Sequence, residues 1–85
     1  MKEKVVEKVD PAIKDLNMFV SDVYVSDEEG VTNLNVELDS SEVIDVERIT
    51  EASKIINPIM DELDLLEGEY VLDIHSKVKG DVIDE

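Results

Sequence analysis

His75 is the only histidine in the sequence, and there is no cysteine. A single imidazole with no second ligand cluster near it in the chain closes no transition-metal site, and without cysteine there is neither a thiolate ligand nor a disulfide. Carboxylate, by contrast, is abundant: 23 acidic residues stand against 8 basic ones, for a formal net charge of −15. Carboxylates hold calcium where they alternate as D-x-D-x-D-G, a spacing that aims several oxygens at one ion. In Asp27-Glu28-Glu29-Gly30 the acids are adjacent instead. With three glycines in all, no phosphate-cradling loop can be assembled, and no G-x-S-x-G places a nucleophile. We therefore expect no enzyme, no cofactor and no metal. The chemistry left to these residues is electrostatic.

The charge is unevenly spread. Residues 2–15 carry four lysines and four acids, whereas residues 22–47 carry nine acids and no base. A second base-free acidic stretch runs from Asp61 to Asp73. Such a surface repels nucleic-acid backbones, whose binding depends on Lys and Arg displacing counterions. It repels anionic membranes for the same reason and attracts basic proteins. For any one acid, plain solubility is an equal reading. The N-terminal MKEKVVEKVD interleaves charge with apolar residues, unlike a signal peptide, and apolar runs of two or three residues are far too short to cross a bilayer. The expected location is the cytoplasm.

Around these residues the chain must build one small core from Val, Ile, Leu and Met, because Phe19, Tyr24 and Tyr70 are its only aromatics. Val5, Val6, Val9, Ile13 and Leu16 recur at three- and four-residue steps, the stripe of an amphipathic helix. Pro11 leaves two starts open: a helix opening at Pro11 with Asp10 as N-cap, or a longer, kinked one from near Glu3. Phe19, Val23 and Val25 fall on alternate positions and read as a strand. The turn Asp27-Glu28-Glu29-Gly30 leads into Thr32, Leu34, Val36 and Leu38, which alternate with Asn33, Asn35 and Glu37. This second strand should bury the first set and expose the second.

A helix follows, with Val46, Ile49, Ala52, Ile56, Met60 and Leu63 on one side and Asp45 as N-cap. Asn57-Pro58 is expected to break or kink it at 56–58, since an interior proline costs about 3 kcal/mol. Tyr70, Leu72 and Ile74 then predict a third strand, and Val82-Ile83 could form a short fourth. The sum is an α+β two-layer sandwich: helix-strand-strand-helix-strand, a three-stranded sheet with both helices on one face. The domain should occupy residues 1–76, with 77–85 a frayed polar tail.

From residue 10 onward this order resembles the N-terminal domain of the bacterial ribosome maturation factor RimP. The family's first helix starts near a proline, as in Asp10-Pro11-Ala12-Ile13, and its first strand contains an Asp-Val step, here Asp22-Val23. Its second strand ends in an apolar-x-apolar-Asp pattern, matched by Val36-Glu37-Leu38-Asp39. Ile44-Asp45-Val46-Glu47-Arg48 and Glu51-Ala52-Ser53-Lys54 resemble the I-T-L-D-D and E-V-S-R blocks. The fullest match is the family's G-x-Y-x-L-E-V-S-S, similar to Gly68-Glu69-Tyr70-Val71-Leu72-Asp73-Ile74-His75-Ser76. The resemblance covers about residues 10–76. It departs at the family's S-S-P-G, here His75-Ser76-Lys77-Val78, and the chain ends before the family's SH3-like second domain could begin. The expectation is either one domain of a longer protein or a stand-alone relative.

The resemblance implies a KH-like topology and a non-enzymatic role in maturation of the small ribosomal subunit. The implied partner is a basic small-subunit ribosomal protein or the pre-subunit particle. A KH-like RNA-binding module is the weaker alternative, because the GxxG loop is missing and the charge has the wrong sign. An acidic adaptor unrelated to ribosomes is the other. The acidic turn and the matching blocks nominate Asp27, Glu28, Glu29, Glu51, Ser53, Asp73 and Ser76 for partner binding.

Overall fold

The first apolar stripe does wind into a helix, α1 (Lys2–Ile13), in the computed structural model, which describes residues 2–77. Val5, Val9 and Ile13 are fully buried along it. Of the two starts left open by Pro11, the longer is the one adopted, and Pro11 lies in the last helical turn. Its missing N–H leaves the carbonyl of Glu7, an exposed residue, to the solvent. Asp10 is accordingly no N-cap. Its Oδ1 instead accepts the backbone N–H of Val20 at 2.8 Å, tying the helix to the strand that follows.

That strand, β1 (Phe19–Glu28), pairs antiparallel with β2 (Val31–Asp39). The register slips between Val20 and Asp22, so one extra residue enters β1 there. The slip corrects the expected alternation. Val20, opposite Leu38, takes the inward position, and Phe19, opposite Asp39, is turned out and 46 % exposed. Glu29 and Gly30 connect the strands with φ of 51° and 79°. Two successive positive φ values are what a tight hairpin with right-twisted strands needs, and glycine supplies the second without strain.

Leu34, Val36 and Leu38 are fully buried, as the period of two requires. Asn35 breaks the expectation for its own set, being 6 % exposed rather than solvated. It sits in the central strand, and its amide donates to Ser26 Oγ at 3.0 Å and to the Tyr24 carbonyl at 3.3 Å. Those bonds replace the water it loses.

The second helix, α2 (Val46–Leu63), opens with Asp45 accepting the Arg48 N–H at 2.9 Å, the N-cap expected. It runs through 56–58 as one helix, so of the expected break or kink the break does not occur. Pro58 faces solvent while Ile56 and Met60 on the opposite side are buried, so packing holds residues on both sides of the proline to the core. Asn57 caps nothing; its side chain donates back to the Ser53 carbonyl at 2.8 Å. At the other end Val46 leaves the expected stripe and is 80 % exposed. Asp64 ends the helix in the left-handed region, its N–H bonded to the Met60 carbonyl at 3.1 Å.

The third strand, β3 (Val71–Ser76), lies beside β2 and parallel to it, which an 18-residue helical crossover permits. The sheet order is β1-β2-β3, and the core forms between it and both helices, with Ala52, Ile56 and Met60 meeting Leu34, Val36 and Leu38. The architecture is the α+β fold expected. Of the tail expected to fray from residue 77, only Lys77 is described, and its N–H is bonded to the Leu38 carbonyl at 2.6 Å; the rest of the tail and the fourth strand expected at Val82-Ile83 fall outside the described residues.

Candidate protein-docking surface

Residues directly opposite one another in a sheet share a face. The register therefore sorts the strands into two sets. Val20, Val23, Val25, Leu34, Val36, Leu38, Leu72 and Ile74 take the helix-facing positions, although Val25, near the hairpin, stays 42 % exposed. The other set holds Asp22, Tyr24, Ser26 and Glu28 of β1, Val31, Asn33, Asn35 and Glu37 of β2, and Val71, Asp73 and His75 of β3. Both helices bury their apolar stripes against the first set. Nothing among the described residues covers the second.

On this open face, carboxylates are interleaved with apolar and aromatic side chains. Tyr24 is 42 % exposed, Val31 46 % and Val71 50 %. The Tyr24 and His75 rings meet edge to face across β2, with centroids 6.4 Å apart and planes at 73°. None of the three strands contains a lysine or arginine. Lys2, Lys4 and Lys8 lie on α1, Arg48 and Lys54 on α2. The molecule is thus polarised, with mixed charge on the helix layer and an acid-only sheet.

The nominated residues fall on three surfaces. Asp27, Glu28 and Glu29 form the hairpin tip, where Thr32 Oγ1 donates to Asp27 Oδ1 at 3.0 Å. Asp73 is exposed on the open face, opposite Asn35. Ser76 pairs with Leu38 at the far end of β3 from the hairpin, about 23 Å away at roughly 3.3 Å per residue. It borders a hollow lined also by Asp39, Glu42, Val43 and Lys77. Glu51 and Ser53 are on α2, behind the sheet. The register therefore places Glu28 of the hairpin on the same face as Asp73, puts Asp27, opposite Thr32, on the helix-facing side of the sheet, and leaves Glu51 and Ser53 behind the sheet on α2. It also adds Asp22, Tyr24, Glu37 and His75 to Asp73, a grouping invisible in sequence until the register of three strands is known.

No three Asp, Glu or His side chains among the described residues gather to hold a metal ion. No described helix is long and apolar enough to cross a membrane. Crowding of like charge on one layer has a measurable consequence. Raising NaCl from about 10 to 300 mM shortens the Debye length from roughly 30 to 6 Å and screens the repulsion among these acids. The melting temperature should rise across that range in a calorimetric or circular-dichroism melt. A flat or falling trend would mean that the acids are mostly compensated within the fold.

Comparison with curated proteins gave no match. A family model does match: that of the RimP N-terminal domain, over residues 8–77. The match opens inside α1 and closes one residue past β3, and so takes in the whole sheet and all of α2. The second half of α1, all of α2 and the three strands, in that order, lie within that span, and the chain belongs to the RimP N-terminal domain family.

Proposed function

We propose that the domain assists assembly of the small ribosomal subunit in the cytoplasm as a non-enzymatic factor, by binding a basic ribosomal protein. Membership of the RimP N-terminal domain family supports a role in ribosome maturation. The observation that supports a protein partner is the polarised charge: a sheet and hairpin bearing Asp22, Asp27, Glu28, Glu37 and Asp73 with no Lys or Arg. Small-subunit proteins of high positive charge are the complementary class, whereas RNA phosphates are repelled. Attraction between such surfaces acts mainly on the rate of encounter and weakens with salt.

The exposed hairpin tip is the most forward part of the acidic layer and its charges are the first a basic protein would meet. Reversing it with Asp27→Lys, Glu28→Lys and Glu29→Lys should lower the association rate with a basic small-subunit protein by about tenfold at low salt. At about 300 mM salt the difference should largely vanish, and neutral or acidic proteins should not respond. Biolayer interferometry at the two salt concentrations measures both effects. An association rate indifferent to salt and to charge reversal would remove electrostatic docking of a basic protein as the mode of action.

A further inference from the structure

The hairpin accounts for encounter, but not for what the partner rests on once it has arrived. We propose that the open face of the sheet is the seat of an extended, arginine-rich segment of the partner, lying across the Tyr24–His75 pair between the carboxylates of Asp22, Glu37 and Asp73. The inference rests on the reading of the domain as a binder of basic protein and assigns the surface and the ligand chemistry.

The face is unpartnered and yet not composed as a plain solvated surface. Three large side chains, Tyr24, Val31 and Val71, each keep between 42 and 50 % of their area exposed on it. The centre is held firm from beneath, because Asn35 is buried with its amide fixed to Ser26 Oγ and the Tyr24 carbonyl. Toward the hairpin an open hollow lined by Glu28, Glu29, Val31 and Asn33 sets two carboxylates beside one aliphatic side chain. That combination fits a long side chain with an apolar stem and a cationic head.

Charge decides among the possible occupants. A second copy packing through the same face would set Asp22, Glu37 and Asp73 against their own duplicates, with no lysine or arginine on any strand to offset them. A nucleic acid would bring phosphates against the same groups. A basic polypeptide meets opposite charge throughout. Arginine fits better than lysine: its planar guanidinium can stack on the Tyr24 ring while bonding a carboxylate through two N–H groups, and an ammonium cannot do both. Extended backbone suits a flat surface whose central strand spans nine residues, about 30 Å.

The test uses the full 85-residue chain with two probes of equal length and charge, nona-arginine and nona-lysine. In a ¹H–¹⁵N correlation titration, the largest amide shifts should fall on Asp22, Tyr24, Glu37, Asp73 and His75. Nona-arginine should bind at least about fivefold more tightly than nona-lysine, and Tyr24→Leu should abolish that preference. Asp22→Asn with Glu37→Gln and Asp73→Asn should weaken both peptides by tenfold or more. Neutralising Glu47, Asp61 and Glu62 on α2 should change affinity less than twofold. Dispersion of the same spectra verifies that each variant is folded. Shifts centred on α2, or equal losses from the two sets of neutralisations, would overturn the sheet face as the seat. Hairpin-dependent association with the basic protein would then still stand as the function. If neither peptide binds and the basic protein shows no association, both the seat and the functional reading fall. Self-association of the parent chain competing with the peptides would also overturn the assignment, in favour of a second copy.

Discussion

Leu34→Ala is expected to destabilise the domain by about 3–5 kcal/mol, the upper part of the range for truncating a buried leucine. Leu34 is completely buried in the central strand, opposite Val25 of β1 and Leu72 of β3. Neighbours on both sides are fixed by ladder hydrogen bonds, so the space left by the lost isobutyl group cannot close by strand movement. A domain of this size has a total stability of about 4–12 kcal/mol, so the variant should lose a large share of it. Val36→Ala, at the next inward position, should cost about 1–3 kcal/mol. Asn33→Ala, on the open face, should cost about 0.5 kcal/mol or less. Urea titration followed by circular dichroism measures all three, as a fall in midpoint with little change in slope. Equal costs at positions 33 and 34 would refute the register on which the division into two faces rests.

That division shows where sequence reasoning succeeds and where it stops. β2 was legible because its apolar residues Leu34, Val36 and Leu38 all lie on one face, so its pattern of two survives in the letters. The start of α2 was legible because Asp45 followed by an apolar period is a local signal, and its Oδ1 accepts the Arg48 N–H within one turn. What was missed depends on partners remote in sequence. Phe19 and Val20 exchange roles because an extra residue enters β1, and Asp10, ten positions earlier, binds the Val20 N–H beside the slip. Asn57-Pro58 predicts a break or kink in the sequence, but α2 continues past it, because burial of Ile56 and Met60 outweighs one lost backbone bond on the exposed side. Asn35 looked solvated until Ser26 and Tyr24 of the neighbouring strand came beside it. The candidate surface divides in the same way. The acidic hairpin could be read directly, being four consecutive residues. Asp22, Glu37 and Asp73 come from three strands, and the parallel placement of β3 beside β2 is what aligns them.

The other large effect is expected at Arg48, the only arginine in the chain. As a cation in the first turn of α2 it is misplaced for the helix dipole, a cost of about 0.3–1 kcal/mol. Its position is explained by its guanidinium, which spans three acceptors from two other segments. One NH group reaches Glu42 Oε1 at 3.2 Å and the Val43 carbonyl at 3.1 Å, and the other donates to the carbonyl of Leu16. The segment leading into α2 and the turn after α1 are thereby fastened to one side chain, which keeps about 24 % of its surface exposed. Removing it leaves the Leu16 carbonyl, in partly buried surroundings, without its charged donor. Arg48→Ala should therefore cost about 2–3 kcal/mol after the dipole gain is subtracted, as for hydrogen bonds to charged groups. Arg48→Lys should recover less than half, because a single ammonium cannot reach both carbonyls in the planar fork geometry. Hydrogen exchange should quicken around residues 14–17 and 40–45 in both variants while β2 stays protected. A cost below about 0.5 kcal/mol for Arg48→Ala, or full recovery by lysine, would show that the guanidinium contacts carry no net stability and that core burial and the Ser40 Oγ hydrogen bond to the Asn17 carbonyl join the two segments.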